Sequence, residues 1–424
     1  MKLPATNPLS VNMIVGARSP AIGRIALDRG VGVFEYDADF GGTGISLNPL
    51  WPVATGEQIV PRDARAFRGL HGTFADSLPD AWGEELMRRR LAREGLAYDA
   101  LTPLDRLALV GDRGMGALTY RPAVPQRSDG VIDLDVFAVE ANRILQGDES
   151  DVLPELYRLG GASGGARPKV LVAFDGRGNV RDGVGVIPDG YDAWLVKFRS
   201  RTTDPVDIGP LEAAYATMAR GCGMQVPDHR LIDAAGGPGY FATKRFDRGG
   251  GRERRHMLSA AAILDADWRE PGADYDLLLR LVREVTRSHS DVEEMFRRMV
   301  FNVVAHNRDD HVKQHAFLYE HEARRWILAP AYDLSPTQGP GGEHYLAVAG
   351  QGRDITGAAL RRVAEMHAIG SRRLKAVVAE VLDGVTRFDA IARDYGVSQT
   401  TRTATSKLIS ECATRVADVA TGSA

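Results

Sequence analysis

Between Asn12 and about Val124 the apolar positions come in short alternating or β-branched runs, VNMIVGAR, VGVFEYD and GALTYRP, broken by Gly, Pro and Asp. Such runs predict strands, and the wider spacing in PDAWGEELMRRRLAREG predicts a helix among them. The segment Pro122–Gly130, PAVPQRSDG, holds two prolines and no periodicity, which predicts a boundary or long loop. After the helical stretch DVFAVEANRILQG, a glycine-dense loop, LGGASGGARPK, feeds the strand VLVAF, a DGRGN turn and a second apolar run ending at Lys197. Leu211–Gly223 repeats apolar residues at helical spacing and stops at glycine, and HRLIDAAGGPGYFATKRF reads as a hairpin. From Met257 onward helices dominate, DYDLLLRLVREVTRS and DVEEMFRRMVFNVVAH among them. The last segment is helical with a Ser/Thr-rich interruption at SQTTRTATS. No internal repeat is evident.

Composition narrows the class without naming a chemistry. A chain of 424 residues has room for a large core and several lobes. Its 53 Lys+Arg against 56 Asp+Glu leave a net charge of −3, which removes any global drive toward nucleic acid or membrane. A hydrophobic share of 44% with 26% charged residues excludes a disordered chain. Two cysteines, Cys222 and Cys412, make no disulfide framework and predict a reducing, cytoplasmic home. No stretch approaches the roughly 18 apolar residues of a membrane span. The N-terminal segment, with Pro4 and Pro8 and no apolar core, does not read as a signal peptide.

Chemistry concentrates in Phe301–Pro336, FNVVAHNRDDHVKQHAFLYEHEARRWILAPAYDLSP: an apolar helix end, a polar loop NRDDHVKQ, a hairpin HAFLYE/RRWILAP, then YDLS. Charged loops anchored by regular elements are where reacting groups are placed. The layout is that of phosphoryl transfer. In a protein kinase an Arg-Asp pair precedes a metal-binding amide by five residues, and a hairpin then delivers a second, metal-holding Asp. Here Arg308-Asp309 precedes Gln314 by the same spacing, and the hairpin delivers Asp333-Leu334-Ser335. One carboxylate orients and deprotonates the attacking hydroxyl, while the other, with an amide oxygen, clamps hard Mg²⁺. Lys313 is placed to neutralise the transferred group. Upstream, AWLVKF sets Lys197 at a strand end, and the backbone N–H groups of Gly160, Gly161, Gly164 and Gly165, with Lys169 close by, form a candidate phosphate cradle.

Each piece alone has a plainer reading. A glycine-rich loop is more often a turn, Lys197 an ordinary strand end, and Asp333 a turn or capping residue. Their joint order carries the kinase reading. His311 and His315 at i,i+4, with His306, suggest a metal site on a helical face, but Val312 stands where HExxH has Glu. The plainer reading leaves His311 hydrogen-bonded in the loop and His306 and His315 partly exposed. Gly161–Gly165 fits G-x-S-x-G, yet a nucleophile elbow follows a strand and opens a helix, the reverse of the order here. The runs Arg88–Arg90 and Arg252–Arg255 are candidate phosphate contacts or solvated faces.

At these residues the chain resembles the HipA-type toxin kinases, over nearly its whole length. LGGASGGARPK resembles the family's glycine loop, WLVKF its nucleotide lysine, ATKRFDR at Ala242–Arg248 its lobe connection, and DDHVKQHAFL and LAPAYDLSP its catalytic and metal loops. FADSLPDAWG at Phe74–Gly83 and RGMGALTYRP at Arg113–Pro122 resemble its N-terminal subdomain. The resemblance implies a protein-kinase-like, two-lobed α+β fold: a β-rich subdomain over 1–125, a small lobe with the Gly-rich loop over 126–250 and a helical catalytic lobe over 251–424. It implies an ATP- and Mg²⁺-dependent Ser/Thr protein kinase, the growth-inhibiting toxin of a toxin–antitoxin pair. Asp309 would be the catalytic base. Gly164, Gly165, Ala166, Lys169 and Lys197 would hold the phosphates, Lys244, Arg245 and Phe246 would line the adenine, and His311, Lys313 and Tyr332 would border the nucleotide. Gln314 and Asp333 would hold the metal. The implied partners are a helix-turn-helix, HipB-like antitoxin, which mediates any DNA contact, and a protein substrate such as an aminoacyl-tRNA synthetase.

Two departures stand out. The family's metal-binding amide is Asn, and here it is Gln314; the loop serine that the family autophosphorylates falls on Ala162, with Ser163 next. Ser163 takes over that role or the switch is absent. These departures motivate a second reading, a degenerate kinase fold acting as an antitoxin-binding co-repressor. A small-molecule kinase is a third.

Overall fold

The computed structural model describes residues 4–421 apart from 17, 52, 54 and 126–131. The expected boundary at 125/126, and all of Pro122–Gly130 beyond residue 125, lie outside the described residues. The chain divides into two compact units. One comprises Met1–Val206, Ile232–Asp267 and Leu318–Arg325; the other comprises Asp207–Leu231, Trp268–Phe317 and Trp326–Ala424.

The first unit holds most of the β structure. Strands β1 (Leu9–Met13), β2 (Ala21–Asp28), β3 (Val31–Tyr36), β4 (Gln58–Ile59) and β5 (Leu118–Arg121) form a sheet in the order β4-β3-β2-β1-β5. Alternation is visible in β1, where Leu9, Val11 and Met13 are buried and the residues between them half-buried. Strands β6 (Lys169–Asp175), β7 (Val180–Asp182), β8 (Tyr191–Lys197), β9 (His229–Ala234) and β10 (Gly237–Lys244) make a second sheet, ordered β7-β6-β8-β10-β9. Its interior strand β6 is buried along nearly its whole length, because helices Ala81–Arg93 and Leu153–Gly160 bring Trp82, Leu86, Leu156, Tyr157 and Leu159 into one core with Val170–Val172, Val196 and Phe198. Residues 318–325 belong here too: Tyr319 donates to the Gly44 carbonyl at 3.0 Å. The arginines of Arg88–Arg90 are in ion pairs with Asp99, Glu85 and Glu94, and Arg89 also donates to the Ile144 carbonyl, so this run is engaged within its own unit.

Strand β11 (His256–Ser259) carries a group that makes this unit acid-sensitive. His256 is buried and its Nε2 donates to the Leu47 carbonyl at 2.7 Å; burial pushes the imidazole down to about 4. The unfolded chain takes up its proton near 6.5. Between these values the unfolded state binds more protons, so stability is full above about 6.5 and falls as pH drops toward 4. The urea midpoint should therefore decline from pH ~7.5 to pH ~5, and His256→Gln should flatten part of the decline. Equal midpoints at both pH values would contradict the assignment.

The second unit is helical: Ile208–Gly221, Tyr275–Thr286, His289–Val304, Gly357–Met366, Ser371–Thr386, Phe388–Asp394 and Gln399–Thr414 are its longer helices. His289–Val304 is its central rod, buried from Met295 to Val304, arginines included. Arg297 donates to the Cys222 carbonyl at 2.8 Å and Arg298 pairs with Glu294 at 2.9 Å, which makes their burial tolerable. Two short strands, β12 (Ala273–Asp274) and β15 (Leu346–Ala347), pair in parallel. The expected hairpin is present as strands β13 (Ala316–Glu320) and β14 (Arg325–Leu328), of which Leu318–Arg325 count with the first unit.

The expected interruption at SQTTRTATS is instead the start of helix Gln399–Thr414. Ser398 caps it through the Thr401 N–H, and Asp207 accepts from the Ser398 N–H (2.9 Å) and the Thr401 hydroxyl (3.1 Å). Low intrinsic propensity is overridden by the cap and by tertiary anchoring. Both cysteines are free and buried. Among the described residues no helix is long and apolar enough to cross a membrane.

Candidate functional site

In the first unit, helix Leu153–Gly160 ends at the glycine loop, which runs directly into β6. That order, helix then strand, disposes of the nucleophile-elbow reading. Gly165 has φ of 83°, a conformation that favours glycine, and a Cβ there would displace the tip of the Lys169 side chain. Lys169 Nζ donates to the Gly164 carbonyl at 2.5 Å. Ser163 is completely buried, its hydroxyl donating to the Gly160 carbonyl at 2.6 Å. Ala162 is buried and Ala166 exposed. The loop is braced from FADSLPDAWG: Asp80 accepts from the Gly165 N–H (2.7 Å), and Trp82 donates its indole N–H to the Lys169 carbonyl (3.0 Å). Gly83 lies so close that a Cβ would sit 3.1 Å from the Ser163 carbonyl.

Strand register sets Lys169 directly opposite Lys197, and Lys197 opposite Phe241 on its other side. Both lysines are buried, at 4% and 8% exposure, and Lys197 Nζ lies 5.7 Å from the Phe241 ring. The register thus brings two lysines side by side at the end of the glycine loop. Farther along β10, Lys244 pairs with Asp192 at 2.9 Å. Arg245 is buried and donates to both oxygens of Asp247, at 2.9 and 2.7 Å, which also accepts from Arg248 and the Gly116 N–H. Burial alone would raise the Asp247 carboxyl, but the two guanidiniums outweigh it and hold it well below the usual carboxylate range. Arg245 is thus fastened to the RGMG turn, and Phe246 beside it is half-buried.

In the second unit the loop after helix His289–Val304 brings Asp309, His311, Lys313, Gln314, Tyr332 and Asp333 together. Asp309 keeps 44% of its side chain exposed, with His311 Nε2 at 3.7 Å from its Oδ1. The His311 ring lies against Trp268 (centroids 4.6 Å apart) and edge-on to Tyr345 (5.3 Å). Burial and then the Asp309 charge raise the Tyr345 hydroxyl. Lys313 Nζ stands 5.5 Å over Trp268, and Tyr332 donates to the Lys313 carbonyl at 2.8 Å. Gln314 donates its amide N–H to Asp333 Oδ2 at 3.0 Å. Asp333 has φ of 56°, a left-handed conformation that Asp tolerates better than most residues.

The histidines differ from their plainer reading: His306 and His315 are both buried. Burial first, then the charges of Arg308 and Arg298 respectively, push each imidazole down to about 4. Residues Val312–Gln314 form a 3-10 turn flanked by His311 and His315, so the two do not share an α-helical face. Among the described residues no group of three or more His, Cys, Asp or Glu side chains is arranged as a metal site.

Spacing alone missed the residues that hold this loop. Asp310 is fully buried: its Oδ2 accepts from Tyr275 Oη (2.8 Å) and His344 Nδ1 (2.9 Å), its Oδ1 from the Tyr345 and Leu346 N–H groups (3.0 and 3.4 Å), and its carbonyl from His315 Nε2 (3.3 Å). A relay continues inward, with Asn302 donating to Tyr275 Oη (2.9 Å) and Asn307 to Asn302 Oδ1 (3.0 Å). Thr337 Oγ1 accepts from the N–H groups of both Arg308 and Asp309.

A glycine loop leading into a strand beside a buried lysine, and a loop Asp followed by a hairpin and a second Asp, define a kinase-like α+β fold. Residues 161–388 match the family model described as the HipA-like C-terminal domain, and residues 13–121 that of the HipA N-terminal domain; the chain belongs to the HipA family. It is 31% identical to the candidate kinase Y4dM of Sinorhizobium fredii over 158 residues, 34% of this chain and 37% of that protein. It is 28% identical to a candidate kinase of Haemophilus influenzae over 138 residues, 29% of this chain and 40% of that protein. These alignments span less than half the length of either relative. Among solved structures it resembles a chain of the Shewanella oneidensis MR-1 toxin–antitoxin system HipA, HipB and operator DNA complex, with a TM-score of 0.69 at 16% identity, covering 97% of this chain and 99% of that one.

Proposed function

We propose that the protein is an ATP- and Mg²⁺-dependent Ser/Thr protein kinase, acting in the cytoplasm as the growth-inhibiting toxin of a HipA/HipB-like pair. The observation that carries the reading is the loop in the second unit, where a half-exposed Asp309 stands beside His311 and a Gln314–Asp333 pair closes at 3.0 Å. Asp309 orients the acceptor hydroxyl and takes its proton; Lys313 faces the transferred group. In the first unit Lys169 and Lys197, with the glycine loop, hold the phosphates, and Phe246 and Lys244 border the adenine. Ser163 becomes a self-phosphorylation site only if its loop opens, because its hydroxyl is buried. The partner is a helix-turn-helix, HipB-like antitoxin, a reading supported by the likeness to the Shewanella chain solved with HipB and operator DNA, and the acceptor is a protein of the translation apparatus such as an aminoacyl-tRNA synthetase.

Gln314 and Asp333 fit Mg²⁺ by donor type, a carboxylate and an amide oxygen, both hard. The amide now turns its N–H toward Asp333, and a half-turn of its terminal bond would present Oε1 instead. When bound, the ion neutralises charge on the phosphate oxygens. The longer Gln314 is also what favours the second reading, an inactive, antitoxin-binding chain.

Labelled ATP incubated with the purified chain and a cell lysate tests the proposal: labelled protein is expected with Mg²⁺, and none with either Mg²⁺ or Mn²⁺ would sink it. Transfer to metabolites alone would indicate a small-molecule kinase. Lys197→Met keeps the apolar stem and removes the ammonium. It should weaken ATP binding by roughly ten- to a hundredfold, the value of a charge-assisted bond, measured by calorimetric titration. An unchanged affinity would remove Lys197 from the phosphate site.

A further inference from the structure

We propose that Thr337 is a positioning residue for the catalytic base, an inference that rests on the kinase reading and goes beyond it. Beyond helix His289–Val304, Asn307 still donates back to the Asn302 carbonyl at 2.9 Å, but the part-buried N–H groups of Arg308 and Asp309 take their acceptor from elsewhere in the chain. Thr337 supplies it for both: its Oγ1 accepts the Arg308 N–H at 2.9 Å and the Asp309 N–H at 2.8 Å. Its own N–H donates to the His306 carbonyl at 3.0 Å, and residues 307 and 337 form an isolated parallel bridge.

The hydroxyl oxygen has two lone pairs, enough for both N–H groups. It thereby fixes the peptide plane from which the Asp309 side chain departs. That side chain is 44% exposed with His311 Nε2 at 3.7 Å, and this plane sets the point and direction from which it starts. Thr337 stands four residues after Asp333. One short segment thus aims the candidate base and also carries the candidate metal ligand. An error of an ångström in a reacting group costs about a hundredfold in rate without touching ground-state binding.

Three substitutions separate the hydroxyl from the volume it occupies. Thr337→Ser keeps the acceptor. Thr337→Ala removes it but leaves room for a water to replace it. Thr337→Val is isosteric, accepts nothing and excludes that water. Initial rates of labelled phosphate transfer from Mg·ATP to lysate protein, measured across ATP concentrations, should rank Ser near wild type, Ala lower and Val about ten- to a hundredfold down in kcat, with the KM for ATP unchanged. In an Asp309→Asn background, Thr337→Val should slow the residual rate no further, because the base it aims is gone. The proposal is overturned if Thr337→Val retains the wild-type kcat, if Thr337→Ser loses as much as Thr337→Val, or if Thr337→Val slows the Asp309→Asn enzyme equally. Should Thr337→Val fail to fold, Ser against Ala, with and without Asp309→Asn, gives the same comparison. A wild-type chain that transfers no phosphate refutes the kinase reading itself, a result separate from any ranking of the variants.

Discussion

Asp309→Asn is expected to lower phosphate transfer by about 10²–10⁴-fold while ATP still binds. Asn has the shape of Asp and leaves the backbone N–H bonded to Thr337, so the loop keeps its path. What disappears is the ability to accept a proton from the attacking hydroxyl. The side chain is half-exposed, with His311 Nε2 3.7 Å away, so the stability change should stay within the range of an exposed pair, about 1 kcal/mol or less. Calorimetric titration with ATP, paired with the labelled-transfer assay, separates the two effects. Retention of more than about a tenth of the wild-type rate would remove Asp309 from the role of base.

One residue further on, the opposite outcome is expected. Asp310→Ala should cost about 3–5 kcal/mol of stability, because several buried donors lose their acceptor at about 1–3 kcal/mol each. The Asp310 side chain is fully enclosed and accepts from Tyr275, His344 and two backbone N–H groups. Truncation strands all of these donors at once, and the relay through Asn302 to Asn307 loses its terminal acceptor. Urea unfolding at neutral pH measures the loss; a value below about 1 kcal/mol, the range of an exposed ion pair, would show that the network is not holding the loop.

The pair Asp309-Asp310 shows what was legible in the sequence. Counting back from Gln314 singled out Asp309, because chemistry fixes a spacing between a base and a metal-binding amide. Nothing in that spacing distinguishes an aspartate that faces solvent from a neighbour that anchors the loop; the distinction is made by Tyr275 and His344, each more than thirty positions away. Thr337 was invisible for the same reason. FADSLPDAWG was read as an N-terminal motif, yet Asp80 and Trp82 brace a glycine loop some eighty residues later. Strands, hairpins and the long helices followed from periodicity because each is specified locally. The start of helix Gln399–Thr414 did not, because Asp207 anchors a stretch whose threonines are poor helix formers.

The interleaving of the two units bears on how the protein is made. The first unit takes in residues 318–325, and the second begins at Asp207 and runs to the last helices. A ribosome that has released only the N-terminal sheet and the glycine loop has therefore finished neither unit. Folding in order of synthesis can close the first only after Arg325 has emerged, with much of the second already outside the exit tunnel. A premature stop before residue 318 yields a chain in which neither unit is whole, and truncation at any single point in the first three hundred residues does not release an independent half.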